Sequence, residues 1–483
     1  MMGQVLLLLA VFIPVAGSLL LPLAGKCSPR FRNGLALFLV AASLAASLSL
    51  LPAALRGEPA EIGIALPLGL GFGFLADGLA VFMAAVSSFI GAIIVFYSWG
   101  YMRGYKNLHE YYLMVVLFIG AMMGLVYSTN LIFIYLFWEI CAIACWRLIG
   151  FFREPDYVRK ANKAFMVTVF GAIVMLLGFF LLYRQTGTFD LAQMKAMNNV
   201  PELAVGLILA GIFAKSATLP FHTWLPDAGV APSPVTSLLH AAVLVKIGVY
   251  AFARLFLVNM FTGASWTGSV WSSWVPVIAA ASALVSGGAA IIDKDIKRII
   301  AYSTVSQIAF IFLGLASGNM MGIAGGLLYI LMHGLAKGGL FLCAGIVEHN
   351  MHTKDITKMG GLIKTMPVTG IAFALCSFSV MGIPPFGGFF SKFMVINGAA
   401  GAGQLLIALT FILGAILTII YLLRLFTLVF LGEPKSELKK EGSPSMLISV
   451  AALAALSLIA GILINFPSAF VTQIVQQMAV MIK

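Results

Sequence analysis

The sequence predicts an all-α polytopic membrane protein of about fourteen transmembrane helices, with two inverted five-helix repeats and helices seven and twelve broken. Three observations carry that expectation: the composition, a succession of bilayer-length apolar runs, and a one-sided distribution of Lys and Arg. Of 483 residues, 61% are hydrophobic and 10% are charged, against roughly 45–50% and about 25% in soluble domains. Mean hydropathy is +1.05. A water-soluble globule of this composition would expose large apolar patches, which excludes that class. The net charge of +12 comes from 29 Lys+Arg against 17 Asp+Glu. The basic residues do not cluster as phosphate binding requires, so nucleic acid is excluded as a partner and the excess belongs to a membrane.

A membrane-crossing helix needs about 20 mostly apolar residues. Such runs fall near 4–22, 34–54, 76–97, 111–128, 131–151, 163–183 and 203–223 in the first half. In the second half they fall near 235–257, 271–292, 299–316, 322–347, 366–400, 403–431 and 445–465. The opening stretch has no basic residue before Lys26 and no small-x-small cleavage site, so it reads as an uncleaved first span. The longest connections, 55–75 and 184–202, leave no room for a soluble domain. The chain therefore divides into an N-terminal three-helix segment (1–110), a first repeat (111–258), a second repeat (271–431) and a C-terminal region (432–483).

Lys and Arg favour cytoplasmic loops. Loops after odd-numbered spans hold seventeen: Lys26, Arg30, Arg32, Arg103, Lys106, Arg153, Arg159, Lys160, Lys294, Lys297, Arg298, Lys354, Lys358, Lys364, Lys435, Lys439 and Lys440. Loops after even-numbered spans hold three: Arg56, Arg184 and Lys195. The bias puts the odd loops in the cytoplasm and both termini outside a cell (inner) membrane. It also supports the count, because one missed helix would scramble it.

Apart from the terminal Lys483, eight basic residues remain in or beside the spans: Arg147, Lys163, Lys215, Lys246, Arg254, Lys337, Lys392 and Arg424. Arg147, Lys163 and Arg254 lie near enough to span ends to snorkel. Lys215, Lys246, Lys337 and Lys392 are deep and on four different helices. At about 2.5–3.5 kcal/mol per central charge, four such lysines are not accidents. A single lysine of this kind has a lesser reading as a packing anchor on backbone carbonyls, which four together with a glutamate and three histidines weaken further. Glu139 is the one carboxylate in their company, and His222, His240 and His333 are the membrane histidines. A buried ammonium near a movable carboxylate is a proton site of adjustable affinity, and histidine adds groups that titrate near neutral pH.

Two of these lysines adjoin helix breakers. Lys215 precedes Thr218-Leu219-Pro220, and Lys392 follows Pro384-Pro385-Phe386-Gly387-Gly388. Interrupted helices are tolerated in a membrane only where protein or a polar cavity receives the freed backbone groups. A matched pair of breaks is a mark of transporters built from inverted repeats. Spans four to eight and nine to thirteen form such a pair, each broken at its fourth helix.

No redox equipment is visible. Cys27, Cys141, Cys145, Cys343 and Cys376 form no CxxC pair, which argues against a metal or iron–sulfur site, and no cofactor is expected in this chain. Gly71-Phe72-Gly73-Phe74-Leu75-Ala76 fits a dinucleotide pattern on paper, but it leads into a membrane span and no acidic residue follows at the required distance. Gly120/Gly124 and Gly334/Gly338 read as helix-packing sites.

Several stretches resemble a known family. They are Phe137-Trp138-Glu139, Tyr157 to Phe165, and Lys215-Ser216-Ala217-Thr218-Leu219-Pro220-Phe221-His222-Thr223-Trp224-Leu225-Pro226-Asp227 running on through Ser233-Pro234 to His240 and Lys246. Asp295-Ile296-Lys297-Arg298 before Ala301-Tyr302-Ser303-Thr304 is a further match. Together, over roughly residues 76–431, they resemble the antiporter-like subunits shared by respiratory complex I, complex-I-type membrane hydrogenases and Mrp Na+/H+ antiporters. The resemblance implies fourteen helices and a proton relay. In that relay Glu139 pairs with Lys215, Lys246 and His240 follow on helix eight, His333 and Lys337 on helix eleven, and Lys392 ends the row. His222 and Asp227 would play secondary parts. The long lateral helix of some members is not expected here. Arg147 has no counterpart, and competition with Lys215 for Glu139 is one role for it.

Three functions compete. The first is a proton-translocating subunit of a redox-driven complex, such as a membrane hydrogenase or complex I-like enzyme, with the redox centres in partner subunits. The second is a D-type subunit of an Mrp Na+/H+ antiporter. The third is a stand-alone solute carrier. An axis of lysines suits H+ better than Na+, which takes oxygen ligands.

Overall fold

The computed structural model describes residues 1–66, 71–195, 199–261, 265–435 and 441–480. Lys439, Lys440 and Lys483 of the charge count lie outside them. Among the described residues, eleven helices are long and apolar enough to cross a membrane, or twelve when Met2–Ser18 and Leu21–Cys27, bent by 54° at Leu19-Leu20, are taken as one. The predicted positions of spans seven and twelve hold broken helices instead. Glu202–Lys215 ends in a non-helical stretch before the short Trp224–Asp227 helix, and Pro367–Met381 is separated from Gly387–Gly401. The peptide bonds Leu219–Pro220 and Pro384–Pro385, one in each break, are cis.

Local sequence sets the ends. Asp77, Asn130, Asp295 and Asn319 begin Gly78–Tyr101, Leu131–Ile149, Ile296–Ala316 and Met320–Met351, and the side chain of each accepts a first-turn N–H at 2.8–3.1 Å. A short polar cap satisfies donors that a helix start leaves orphaned. At the other end, Gly187 and Gly382 close Pro155–Thr186 and Pro367–Met381 at φ +69° and +81°, where a Cβ would be strained.

Burial sorts the helices into two shells. Ser233–Met260, Ile296–Ala316 and Met320–Met351 are enclosed almost entirely by protein. Pro155–Thr186 and Leu405–Phe430 carry stripes of exposed apolar side chains, such as Met166, Phe170, Ile173, Leu177 and Phe180, at the three- and four-residue steps of one helix face. Such a stripe is stable against lipid and not against water. The helices that carry His240, Lys246, His333 and Lys337 are thus the ones removed from both solvents.

Two elements depart from the sequence expectation. The 55–75 connection contains an antiparallel hairpin, Ala60–Ala65 against Gly71–Ala76, with Ala60 opposite Ala76. The Gly71-to-Ala76 pattern is one of its strands and not a phosphate turn. Beyond Pro444–Ile462 lies a further helix, Asn465–Val480, whose Gln473 and Gln477 donate to the carbonyls of Ala54 and Leu55 at the end of Pro29–Leu55. The paired glycines are close-contact sites as expected: a Cβ at Gly120 would stand 2.8 Å from the Val15 nitrogen.

The charges near span ends are paired, and snorkelling does not describe buried Arg254. Arg254 is 4% exposed; its Nη1 and Nη2 donate to the two oxygens of buried Asp77 at 2.5 and 2.6 Å, and its Nε donates to the Tyr250 hydroxyl at 2.8 Å. Lys163 donates to Asp227 at 2.7 Å. Arg147 donates to Glu110, which also accepts from Arg153 at 2.7 Å, so Arg147 is committed elsewhere than Glu139. Lys297, counted as a loop residue, is 1% exposed and donates to Glu348 at 3.1 Å and to the Ala231 carbonyl at 2.7 Å. Arg424 donates to the Asp293 carbonyl at 3.1 Å. Glu139 is therefore not the sole carboxylate among the interior charges: Asp77 and Glu348 are there too, each already holding a cation.

Removing one member of a buried pair leaves the other uncompensated, at a cost of about 3–5 kcal/mol, while an apolar pair of similar size is often neutral. Asp77→Ala is expected to lower the melting temperature of the detergent-solubilised protein sharply, and Asp77→Leu/Arg254→Met to restore most of it. At the second break, a Cβ on Gly388 would collide with the Ser379 carbonyl, whereas one on Gly401 meets nothing within 4 Å. Gly388→Ala should destabilise by about 1–3 kcal/mol or more, as overpacking does, and Gly401→Ala should leave the melting temperature unchanged.

Candidate functional site

The four deep lysines lie where the sequence puts them, inside the helical bundle, and all are buried. Each ammonium donates to a main-chain carbonyl. Lys215 reaches Trp138 at 3.1 Å, Lys246 reaches Ile330 at 3.2 Å, Lys337 reaches Ile300 at 3.2 Å, and Lys392 reaches Val380 at 2.7 Å. Among the described residues, none of the four forms an ion pair with a carboxylate.

Both breaks explain part of this placement. Lys215 occupies the last turn of Glu202–Lys215, where the unpaired carbonyls of a helix end favour a cation. Trp224 Nε1, beyond the break, donates back to the Ala214 carbonyl at 3.0 Å and satisfies one of those groups. At the second break, Val380 lies in the last turn of Pro367–Met381, so the ammonium of Lys392, on the following half-helix, caps the C-terminal end of the preceding one.

Glu139 lies one residue from the carbonyl that Lys215 uses, but it does not hold that lysine. Its Oε1 is buried without a hydrogen-bond partner. The ammonium instead stands 5.1 Å from the centre of the Trp138 ring, within cation–π range. The expected Glu139–Lys215 pair is thus open in this structure.

Lys246 and His333 meet directly, Nζ to Nδ1 at 2.9 Å, which joins Ser233–Met260 to Met320–Met351. His333 and Lys337 are one turn apart on the same helix face. From Lys337 a chain of hydroxyls and an amide continues. Lys337 donates to Ser303 Oγ at 2.6 Å, and Ser303 Oγ accepts from the Tyr421 hydroxyl at 2.7 Å. Gln307 Nε2 donates to Tyr421 at 3.3 Å and to Thr418 at 3.2 Å, and Gln307 Oε1 accepts from Tyr329 at 2.6 Å. The Lys392 ammonium stands 4.5 Å from the centre of the Phe310 ring and 5.7 Å from that of Tyr329.

His240 lies in a widened π-helical stretch, Leu238–Ala242, against the Phe341 ring at 4.3 Å. Both of its ring nitrogens are buried and without partners. Such turns recur at functional sites because the extra residue re-aims side chains. His222 is half-buried, with Nδ1 unpartnered. Asp227 is not on this axis. It accepts from Lys163 and from Arg298 Nη1, both at 2.7 Å, at one end of the bundle. Burial alone would raise the Asp227 carboxyl; the hydrogen bonds and charges of Lys163 and Arg298 outweigh it and hold the group below the usual carboxylate range.

Sequence reasoning missed Ser303, Gln307, Tyr329 and Tyr421. Gln307 carried a signal, a primary amide in an otherwise apolar stretch. Tyr329 carried another, one turn before His333.

Residues 128–418 match the family described as "NADH:quinone oxidoreductase/Mrp antiporter, TM". Residues 65–112 match "NADH-Ubiquinone oxidoreductase (complex I), chain 5 N-terminus". The chain is 36% identical over 437 residues to the A-type subunit of the Na(+)/H(+) antiporter of Alkalihalophilus pseudofirmus, covering 82% of this chain and 53% of that protein. It is 34% identical over 442 residues to the A1-type subunit of the Na(+)/H(+) antiporter of Staphylococcus aureus, covering 84% and 54%. The chain thus spans about half the length of the curated relatives it matches. The fold is shared with a chain of the Mrp complex from Dietzia sp. DQ12-45-1b at TM-score 0.90 and 22% identity, covering 99% of this chain and 97% of that one. It is shared equally with a chain of the archaeal membrane-bound sulfane sulfur reductase, at TM-score 0.91 and 22% identity over 99% and 98%. With most of its length matched, and with the enclosed lysine-bearing helices inside the matched region, the chain belongs to the NADH:quinone oxidoreductase/Mrp antiporter family of membrane subunits.

Proposed function

We propose that the chain is a proton-carrying subunit of a multisubunit Na+/H+ antiporter of the Mrp kind. The observation that carries this reading is a pair of buried polar clusters, Lys246 with His333 and, one turn along the same helix, Lys337 with Ser303, Tyr421, Gln307 and Tyr329 beside Lys392, all away from water and lipid. The sequence ranked a redox-driven complex first. The curated relatives at 34–36% identity are named as Na+/H+ antiporter subunits, which favours the antiporter, and as its A type, which favours that type over the D type. The sulfane sulfur reductase resembles this chain in fold alone and does not restore the redox reading.

In this scheme residues 111–258 and 271–431 are two inverted half-paths. A proton rests on Lys215, and Glu139, one residue from the carbonyl beneath it, swings in to hold it or away to release it. At an effective dielectric near 20, a unit charge pair at 4 Å is worth about 4 kcal/mol, a change in proton occupancy of about a thousandfold. The proton then moves to Lys246 and His240, crosses to His333 on the 2.9 Å contact, and passes by Lys337 towards Lys392. Water bridges the steps that protein contacts do not span. The positive-inside bias places the Asp227 end of the bundle in the cytoplasm. Ammonium and imidazole nitrogens carry H+ and do not ligate Na+, whose exchange falls to companion subunits.

The test is Na+-dependent proton movement in everted membrane vesicles containing the chain with its co-purifying subunits. Lys215→Ala is expected to reduce it to background at wild-type expression. A Lys215→Ala complex exchanging at the wild-type rate contradicts the relay, and companion subunits bearing nickel or iron–sulfur centres contradict the Mrp assignment.

A further inference from the structure

At the end of the bundle that holds Asp227, Pro29–Leu55 begins, Gly78–Tyr101 ends and Leu108–Tyr127 begins. Between them is a cavity of about 690 Å³ lined by residues that include Arg30, Arg32, Arg103, Trp99 and Tyr112. Three guanidinium groups therefore face one space. Among the described residues none of the three forms an ion pair. That sets them apart from Arg147, Arg153, Arg254 and Arg298, all of which hold carboxylates.

The site is built and not a loose surface cluster. Arg32 is 3% exposed. Its Nε and Nη2 donate to Asn33 Oδ1 at 3.1 and 2.9 Å, and its guanidinium lies 4.8 Å from the centre of the buried Tyr112 ring. Nη1 takes no acceptor among the described residues. The same Asn33 is anchored from the other side, its carbonyl accepting from Trp99 Nε1 at 3.2 Å. Arg32 is thus held against an aromatic ring with donors left over, while Arg30 and Arg103 stand exposed at the rim.

From this arrangement we propose that the cavity binds the phosphate headgroup of an anionic phospholipid. The charge supplies the headgroup, since a fork of guanidinium donors matches phosphate oxygens bidentately. The setting supplies the lipid: an Arg pocket between membrane helices on the side rich in Lys and Arg, with a Trp and a Tyr at headgroup level, meets the leaflet that carries anionic lipid. The volume accommodates a headgroup and is far more than a lone phosphate fills. The site is separate from the lysine row and stands or falls independently of it.

The experiment is native mass spectrometry of the full chain with its co-purifying subunits, released from mixed vesicles of equal phosphatidylglycerol and phosphatidylcholine. Retained phosphatidylglycerol is expected to exceed phosphatidylcholine by about tenfold or more, since each basic residue near the surface is worth roughly fivefold. Arg30→Gln/Arg103→Gln, which alters only exposed side chains and leaves Arg32, should cut that preference by about tenfold or more with the melting temperature unchanged. Arg32→Lys should weaken it, because an ammonium loses the bidentate fork. Equal retention of the two lipids, or an undiminished preference in Arg30→Gln/Arg103→Gln, overturns the proposal. So does displacement of the lipid by millimolar inorganic phosphate, which would make the site one for a free anion, and so does a co-purified protein segment filling the cavity.

Discussion

An ammonium group taken out of water must find oxygen, and the rest of this structure is arranged around how four of them do so. Lys215, Lys246, Lys337 and Lys392 each settle on a main-chain carbonyl of a neighbouring helix or half-helix. Along a continuous helix a carbonyl already accepts one bond within its own ladder, so a second bond to lysine there is weaker than an ion pair and easier to exchange; Val380, in a last turn, has its carbonyl free for Lys392. That distinguishes these groups from Arg254, Lys297 and Arg298, whose carboxylates fix them in place. The protein keeps two populations of interior charge, one paired and structural, the other held loosely along an axis.

The breaks in helices seven and twelve belong to the same constraint. A continuous helix offers no free carbonyls in mid-membrane, whereas an interrupted one exposes its last turn there. Lys392 caps such a turn, and Lys215 ends one. Enclosure by Pro155–Thr186 and Leu405–Phe430, whose outer faces are apolar, then keeps lipid from the polar axis.

Much of this was legible in the sequence. Charges are rare in a chain that is 61% hydrophobic, so each deep lysine stands out, and Pro220 beside Lys215 and the proline and glycine pairs before Lys392 mark the breaks. What the lysines bond to was not legible, because every residue carries a carbonyl and sequence does not say which helix lies alongside. The Asp77–Arg254 pair joins residues 177 positions apart, so from sequence Arg254 reads as a snorkelling end residue. The Ser303–Tyr421 link fails to show for the same reason, since hydroxyls are common in membrane helices and only packing selects the two that meet. The hairpin at Ala60–Ala76 was hidden by its glycines, which read as connection. The reading of a single buried lysine as a packing anchor predicted the carbonyl contacts correctly. It did not predict that Lys246 would also meet His333 on a second helix.

That linkage is the central claim, and the Lys246–His333 contact is where it is most exposed to test, because it joins helix eight to helix eleven by a direct side-chain bond. The measurement is a double-mutant cycle on Na+-dependent proton movement in vesicles, with Lys246→Met, His333→Phe and the two combined. Groups acting in series on one path predict that either single substitution brings the rate to background and that the double is no worse. Single variants that each keep a substantial rate, with losses that multiply in the double, would show two independent sites and contradict the account.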